Sequence, residues 1–270
     1  MNVLSGTVLV TGATGGIGQA IARAVRPRGA DLILTGRRSD VLEPLAAELG
    51  ARGIACDLSR REELERLVDQ VGRVDVLIAN AGVPAGGVLT VLSQEEIDRA
   101  LETNLRAPIA LARALAPAMV ARGRGHLVFV SSLQGKAAVP ASSVYSATKF
   151  GLRGFALALR QDLRPCGVGV SVVLPGFISH AGMFAAARTR LPPGIGTRRP
   201  EDVAAAVISA IDRDRAEIEV APLPLRLGTA VASVAPGPSA AVGRRLGSAR
   251  IAARIVAGQR HAAATPRDDE

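Results

Sequence analysis

The chain has 270 residues, of which 48% are hydrophobic and 21% charged; that balance excludes a disordered protein and suits one large α/β domain or two small ones. The net charge is +9, but the arginines are scattered and aromatics make up only 2%, so a nucleic-acid partner, which needs clustered charge and stacking platforms, is not expected. The apolar runs break before about 18 residues, MNVLSGTVLVTG lacks a basic region ahead of a long apolar stretch, and Cys56 and Cys166 form neither a disulfide framework nor a metal spacing; the expectation is a cytoplasmic protein with reduced thiols, no spanning helix and no metal.

The first element is a strand-like run, TVLVTG (7–12). Gly12, Gly16 and Gly18 follow it and lead into a helical pattern, GIGQAIARAVRPRG. Glycines there permit a tight turn, let a pyrophosphate approach the backbone amides, and let the helix pack close to the strand. The helix N-terminus adds free N–H groups and partial positive charge. The spacing is G-x-x-x-G-x-G rather than the commoner G-x-G-x-x-G.

The second strand is ADLILTG (30–36). A carboxylate at its end would bond a ribose 2′-hydroxyl and repel a 2′-phosphate. Gly36 holds that place, and Arg37 and Arg38 follow. Guanidinium groups suit a phosphate, so NADP(H) is the preferred cofactor, with NAD(H) as the alternative. Asp40 reads as a cap or first-turn acid of the next helix.

Helical patterns RSDVLEPLAAELG and REELERLVDQVG precede the run VDVLIANAG (74–82). One long pattern, EEIDRALETNLRAPIALARALAPAMVARG, leads to GHLVFVSS (125–132); SSVYSATKFGLRGFALALRQDLRPCG leads to GVSVVLPG (169–176). Pro200 opens a further helix with acids in its first turn, and AEIEVA (216–221) closes the series as a short strand. Strands apolar nearly throughout, alternating with helices, give a Rossmann-like doubly wound parallel sheet with helices on both faces, an α/β fold in a single domain over 1–221. Residues 222–270 form an Ala/Gly/Pro/Arg-rich extension, read as packed loosely on its own domain or on a partner subunit, with IAARIVAGQR a short amphipathic helix. Its arginines also suit a membrane surface, but the apolar anchors for that are missing.

These residues resemble the short-chain dehydrogenase/reductase family over about residues 5 to 221, with the motifs in the family's order. TGATGGIG resembles its cofactor turn, which implies that Gly12, Thr14, Gly15, Gly16, Ile17 and Gly18 contact the dinucleotide. The resemblance places Asp57 and Leu58 of CDLS at the adenine, and Asn80, Ala81 and Gly82 after the fourth strand of the family pattern. Asn104 in ETNL matches the active-site helix asparagine, implied to hold a water that links Lys149 to solvent. Ser132 stands 13 positions before Tyr145, as the catalytic serine does, and YSATK (145–149) is similar to the Tyr-x-x-x-Lys motif. Pro175 and Gly176 match the turn flanking the nicotinamide, with Ile178 contacting the carboxamide through its backbone. Gly15 departs from the basic residue of many NADP-dependent members, so that preference rests on Arg37 and Arg38. Ala79 replaces the first asparagine of Asn-Asn-Ala-Gly, and Ser179 stands where threonine is frequent.

Tyr145 is the chain's sole tyrosine, and Lys149 is one of two lysines. Positions four apart share a helix face. Carbonyl reduction needs a proton donor, and a phenol with a pKa near 10 is brought toward working pH by a neighbouring ammonium and the nicotinamide charge. Ser132 would hold the substrate oxygen. The expectation is an NADP(H)-dependent oxidoreductase interconverting a carbonyl and a secondary alcohol; a non-catalytic cofactor-sensing module is the alternative.

Residues 180–199 lie where the family carries its substrate lid. There Met183, Phe184, Leu191 and Ile195 suit a hydrophobic substrate, and Arg188, Arg190, Arg198 and Arg199 suit either an anionic tail or water. Lys136 reads as a solvated lysine or a contact for an anionic substrate group, and His180 as a loop residue near the cleft. The long helices near 103–122 and 145–164 form the family's subunit interface, which implies a homodimer or homotetramer.

Overall fold

The alternation of apolar runs and helical patterns builds one sheet. The computed structural model describes residues 3–187, 189 and 196–264. Its strands are β1 (Thr7–Thr11), β2 (Asp31–Gly36), β3 (Arg52–Ala55), β4 (Val76–Ala79), β5 (Gly125–Val130), β6 (Val168–Pro175) and β7 (Glu217–Val220). Their order is β3-β2-β1-β4-β5-β6-β7, with every neighbouring pair parallel. Parallel neighbours require crossovers, and helices supply them. They are α1 (Gly16–Val25), α2 (Ser39–Leu49), α3 (Arg61–Val71), α4 (Gln94–Leu101), α5 (Ala107–Ala121), α6 (Ser143–Leu163), α7 (Gly182–Ala186) and α8 (Pro200–Asp212).

Side chains alternate along a strand, so helices on both faces bury every residue of β1 beyond its first. Val8 and Val10 pack with Ile21, Val25, Leu42, Val203 and Val207 of α1, α2 and α8. Leu9, between them, packs on the other face with Leu67, Leu111, Met119 and Leu152 of α3, α5 and α6. Each such side chain contributes roughly 1.5–3 kcal/mol by leaving water. Gly29, Gly50 and Gly167 end helical segments in the left-handed conformation, where a non-glycine residue would be strained.

Two elements depart from the sequence reading. β3 was not expected. Its RGIA pairs only with β2 at the sheet edge, and three of its four residues are exposed, so no apolar run marks it. The single long helix expected to begin near Glu95 is interrupted. α4 ends at Leu101, a π-type turn spans Glu102–Arg106, and α5 starts at Ala107. π-turns inside helices concentrate at functional sites, and this one carries Asn104.

Beyond Pro222 the chain forms α9 (Leu223–Val234), α10 (Pro236–Arg245) and α11 (Ser248–Ala264). The helix expected around IAARIVAGQR is therefore longer than that stretch. Among the described residues no helix is long and apolar enough to cross a membrane.

His126, on β5, carries a pH dependence. Its Nε2 lies 2.8 Å from Ser171 Oγ, and the residue is 3% exposed. Burial lowers its pKa to about 4, against a smaller upward pull from Asp214. The unfolded chain, titrating near 6.5, binds the proton more readily. Stability is thus whole above about pH 6.5 and falls as pH drops toward 4, by about 1.4 kcal/mol per unit. Urea unfolding across this window is expected to show that slope, and His126→Gln to flatten it. An unchanged slope in the variant would assign the loss to carboxylates.

Candidate active site

The connections leave β1 toward β2 on one side and reach β4 on the other. Such a reversal opens a crevice at the C-terminal ends of the strands. The glycine turn forms its floor. Gly12 has φ +66°, and a Cβ there would lie 2.7 Å from Ala81 Cα. At Gly18 a Cβ would lie 2.2 Å from the Gly12 carbonyl oxygen, so only glycine lets α1 approach so closely. Gly15 caps α1 without a side-chain bond, which leaves the first amides of the helix turned to the crevice. The loop after β4 is tied to this turn. Asn80 Nδ2 donates to the carbonyls of Thr11 (3.0 Å) and Gly12 (3.3 Å), while the amides of Asn80 and Ala81 donate to Thr11 Oγ1 at 3.1 Å.

The crevice continues past β2 and β3. Arg37 is exposed at its rim; Arg38 is partly buried and donates to the Thr14 carbonyl at 2.5 Å. Asp40 is the first-turn acid of α2, as expected. Asp57 Oδ1 accepts from the amide and hydroxyl of Ser59 at 3.0 and 2.8 Å, which fixes the turn that presents Leu58.

α6 brings Tyr145 and Lys149 to the middle of the crevice. Lys149 Nζ lies 5.7 Å from the Tyr145 ring centroid and donates to the Val130 carbonyl at 3.2 Å. Ser131 Oγ donates to the Lys149 carbonyl at 2.9 Å, fastening α6 to the end of β5. Ser132, next along, accepts from the Gln134 amide at 3.1 Å and is hydrogen-bonded with Tyr145. Burial dominates the electrostatics here. It lowers Lys149, 2% exposed, to about 8. It raises the Tyr145 phenol to about 12, with the Ser132 bond pulling the other way. Desolvation of the phenolate by the cleft walls outweighs that bond.

Asn104 is fully buried between the loop after β4 and α6. Its Oδ1 accepts from the Val83 amide at 2.8 Å, and its Nδ2 donates to the Val83 carbonyl at 2.9 Å and to Thr148 Oγ1 at 3.4 Å. The side chain clamps the loop after β4 against α6. Pro175 and Gly176 also line the cleft, as does Ile178. A bridge to Arg198 uses the Phe177 carbonyl and the Ser179 amide, which turns the amide and carbonyl of Ile178 away from Arg198.

Lys136 matches neither expectation. It pairs with Glu217 at 3.0 Å and Glu219 at 2.5 Å on β7, whose carboxylates take its charge. His180 is exposed with φ +62° and does not line the cleft. Arg198 and Arg199 are exposed, Arg199 beside Glu201 at 3.4 Å, and neither lines the cleft. Arg188, Arg190, Leu191 and Ile195 lie outside the described residues.

The cleft encloses about 1090 Å³, above the usual range for one small ligand and ample for a dinucleotide with a second molecule. Part of its lining was missed in the sequence reading. Ser248, Ile251, Ala252, Ile255, Val256 and Gln259 of α11 face into it, with Leu225 and Thr229 of α9. Their i, i+3, i+4 spacing was visible, but nothing in the sequence says which surface that face covers. Among the described residues no cluster of His, Cys, Asp or Glu could hold a metal.

The short chain dehydrogenase family model matches residues 6–191. A ketoacyl reductase, HetN, from Nostoc sp. is 38% identical over 251 residues, covering 87% of this chain and 88% of that protein. A short-chain dehydrogenase from Sphingobium yanoikuyae, solved in complex with NADPH, superposes with a TM-score of 0.73 at 28% identity and covers 98% of both chains. A metagenomic short-chain oxidoreductase solved with NADP gives a TM-score of 0.68 at 35% identity, over 80% of this chain and 96% of that one.

Proposed function

The chain belongs to the short-chain dehydrogenase/reductase family and is an oxidoreductase; from that premise we propose that it uses NADP(H) to interconvert a carbonyl and a secondary alcohol, with Tyr145 as general acid/base. The observation that carries this reading is the convergence of Ser132, Tyr145 and Lys149 on one cleft with the glycine turn.

The residues present fit the cofactor. Gly12 and Gly18 let the turn close tightly on Ala81 and on the Gly12 carbonyl, where any Cβ would clash, the amides at the start of α1 suit a pyrophosphate, and Arg37 and Arg38 at the rim suit a 2′-phosphate. Thr14, Gly15, Gly16 and Ile17 would hold the pyrophosphate side, Asp57 and Leu58 the adenine, and Asn80, Ala81 and Gly82 the adjoining ribose region. Pro175, Gly176 and the Ile178 backbone would flank the nicotinamide. When bound, the cofactor supplies or accepts the hydride.

The chain's own groups do the rest. Ser132 Oγ donates to the substrate oxygen where negative charge develops. Tyr145 gives its proton to the same oxygen, and takes it back in the reverse direction. Lys149, anchored at Val130, offers its remaining N–H groups to the nicotinamide ribose and stabilises the phenolate. Asn104 acts as a positioning residue through Val83. The half-buried Phe155, Leu157 and Leu159 of α6 suit a homodimer or homotetramer built on α5 and α6.

Absorbance of the reduced nicotinamide, followed with a panel of apolar ketones, tests the reading. Faster oxidation of NADPH than of NADH is expected. NADPH binding without turnover of any carbonyl would point instead to a cofactor-sensing module, and binding of neither cofactor would overturn the reading outright.

A further inference from the structure

Resting on that carbonyl–alcohol reading, we infer that α11 roofs a substrate channel built for a carbonyl carried on a long, uncharged apolar chain. The helix has two unlike faces. Ile251, Ala252, Ile255, Val256 and Gln259 line the cleft, whereas Ala253, Arg254, Ala257 and Arg260 are exposed. That division follows the helical period, with one apolar stripe turned inward.

The inward stripe completes an apolar chamber. Val139, Phe177, Met183, Phe184 and Leu225 line the same cleft. The charged side chains lining the cleft among the described residues are Arg37, Arg38, Asp40 and Asp57 at the adenine end, and Lys149 beside Tyr145. A phosphorylated or carboxylate tail entering under α11 would find no cleft-lining partner of opposite sign there among the described residues, whereas an apolar chain would leave water against aliphatic and aromatic carbon.

The roof is fastened to both walls. On one side Gln259 Nε2 donates to the Met183 carbonyl at 3.4 Å, and a Cβ at Gly258 would lie 2.1 Å from the Ala187 carbonyl oxygen. On the other, Arg260 donates to the Gly86 carbonyl at 3.3 Å and to Glu96 at 3.4 Å. Val256 presses on Gly86, where a Cβ would meet its Cγ2 at 2.8 Å. The helix thus spans from the end of α7 to the loop after β4. Its apolar residues act on the remote part of a substrate and so set selectivity by binding, apart from the proton transfer at Tyr145.

Calorimetric titration of the full chain with methyl ketones of increasing length, from butan-2-one to dodecan-2-one, tests this. It is run with and without NADP+, so no hydride is available and binding is read without turnover. Affinity is expected to rise about fourfold for each methylene that enters the channel. Ile255→Glu is expected to flatten the rise. Gly258→Leu, which keeps every lining side chain but forces the helix off Ala187, is expected to do the same. Ala253→Glu on the outer face should leave the series steep. A flat series in the parent protein, or an equally steep one in Ile255→Glu, overturns the channel. Ketones that bind with the expected length dependence but are never reduced with NADPH would overturn the carbonyl–alcohol reading and leave the channel standing.

Discussion

Replacing Tyr145 by phenylalanine is expected to lower kcat/KM by about 10²–10⁴-fold while leaving NADPH affinity within about twofold. The substitution removes one oxygen and keeps the ring. Lys149 is anchored at the Val130 carbonyl, so that support for the cofactor remains. The lost atom is the proton donor, which acts only as the bond to the substrate oxygen changes. A variant keeping most of its activity would remove Tyr145 from the role of general acid. The protein allows a direct check, because it has one tyrosine and no tryptophan. Phenolate absorbance therefore reports this group alone. It is expected to titrate near 12 in the protein by itself, where burial dominates, and lower once NADP+ is bound, since a cationic ring favours the phenolate. An unshifted titration would mean that Lys149 and the cofactor do not prepare the phenol as a base.

Much of this was written in local patterns. A strand buried on both faces must be apolar throughout, so β1, β2, β4, β5 and β6 announce themselves. The glycine turn is equally legible, because only glycine fits where Gly12 meets Ala81 and Gly18 meets the Gly12 carbonyl. Tyr145 and Lys149 are legible because one helix sets their spacing. What escaped depends on contacts between distant parts of the chain. β3 is a strand only because β2 offers it an edge. The π-turn at Glu102–Arg106 follows no composition rule, and the clamp of Asn104 on Val83 links residues 21 apart. Lys136 finds Glu217 and Glu219 across more than 80 positions. The packing of Val256 on Gly86 crosses most of the chain, so α11 could be read as amphipathic but not as the cover of the cleft.

Replacing Arg37 by alanine is expected to weaken NADPH binding about 10- to 100-fold, and NADH binding by less than about threefold. The 10- to 100-fold range corresponds to the roughly 1.5–3 kcal/mol of a charge-assisted hydrogen bond to the 2′-phosphate. The two arginines are not equivalent. Arg38 is braced by the Thr14 carbonyl, so Arg38→Ala also loosens the glycine turn and should weaken both cofactors. Arg37 stands exposed at the rim and can serve the phosphate alone. Its contribution should shrink with added salt, as an exposed charge is screened. Equal weakening of NADPH and NADH in Arg37→Ala would defeat the 2′-phosphate argument. The same geometry says where specificity can be reversed. Gly36 holds the place where a carboxylate would select NADH, but a Cβ there would lie 2.6 Å from Thr14 Cγ2. Gly36→Asp therefore displaces Thr14 and damages the turn for both cofactors. Arg37→Asp removes the guanidinium and sets a carboxylate against the phosphate without that clash. Parallel titrations with the two reduced nicotinamides should show Arg37→Asp favouring NADH and Gly36→Asp binding neither well.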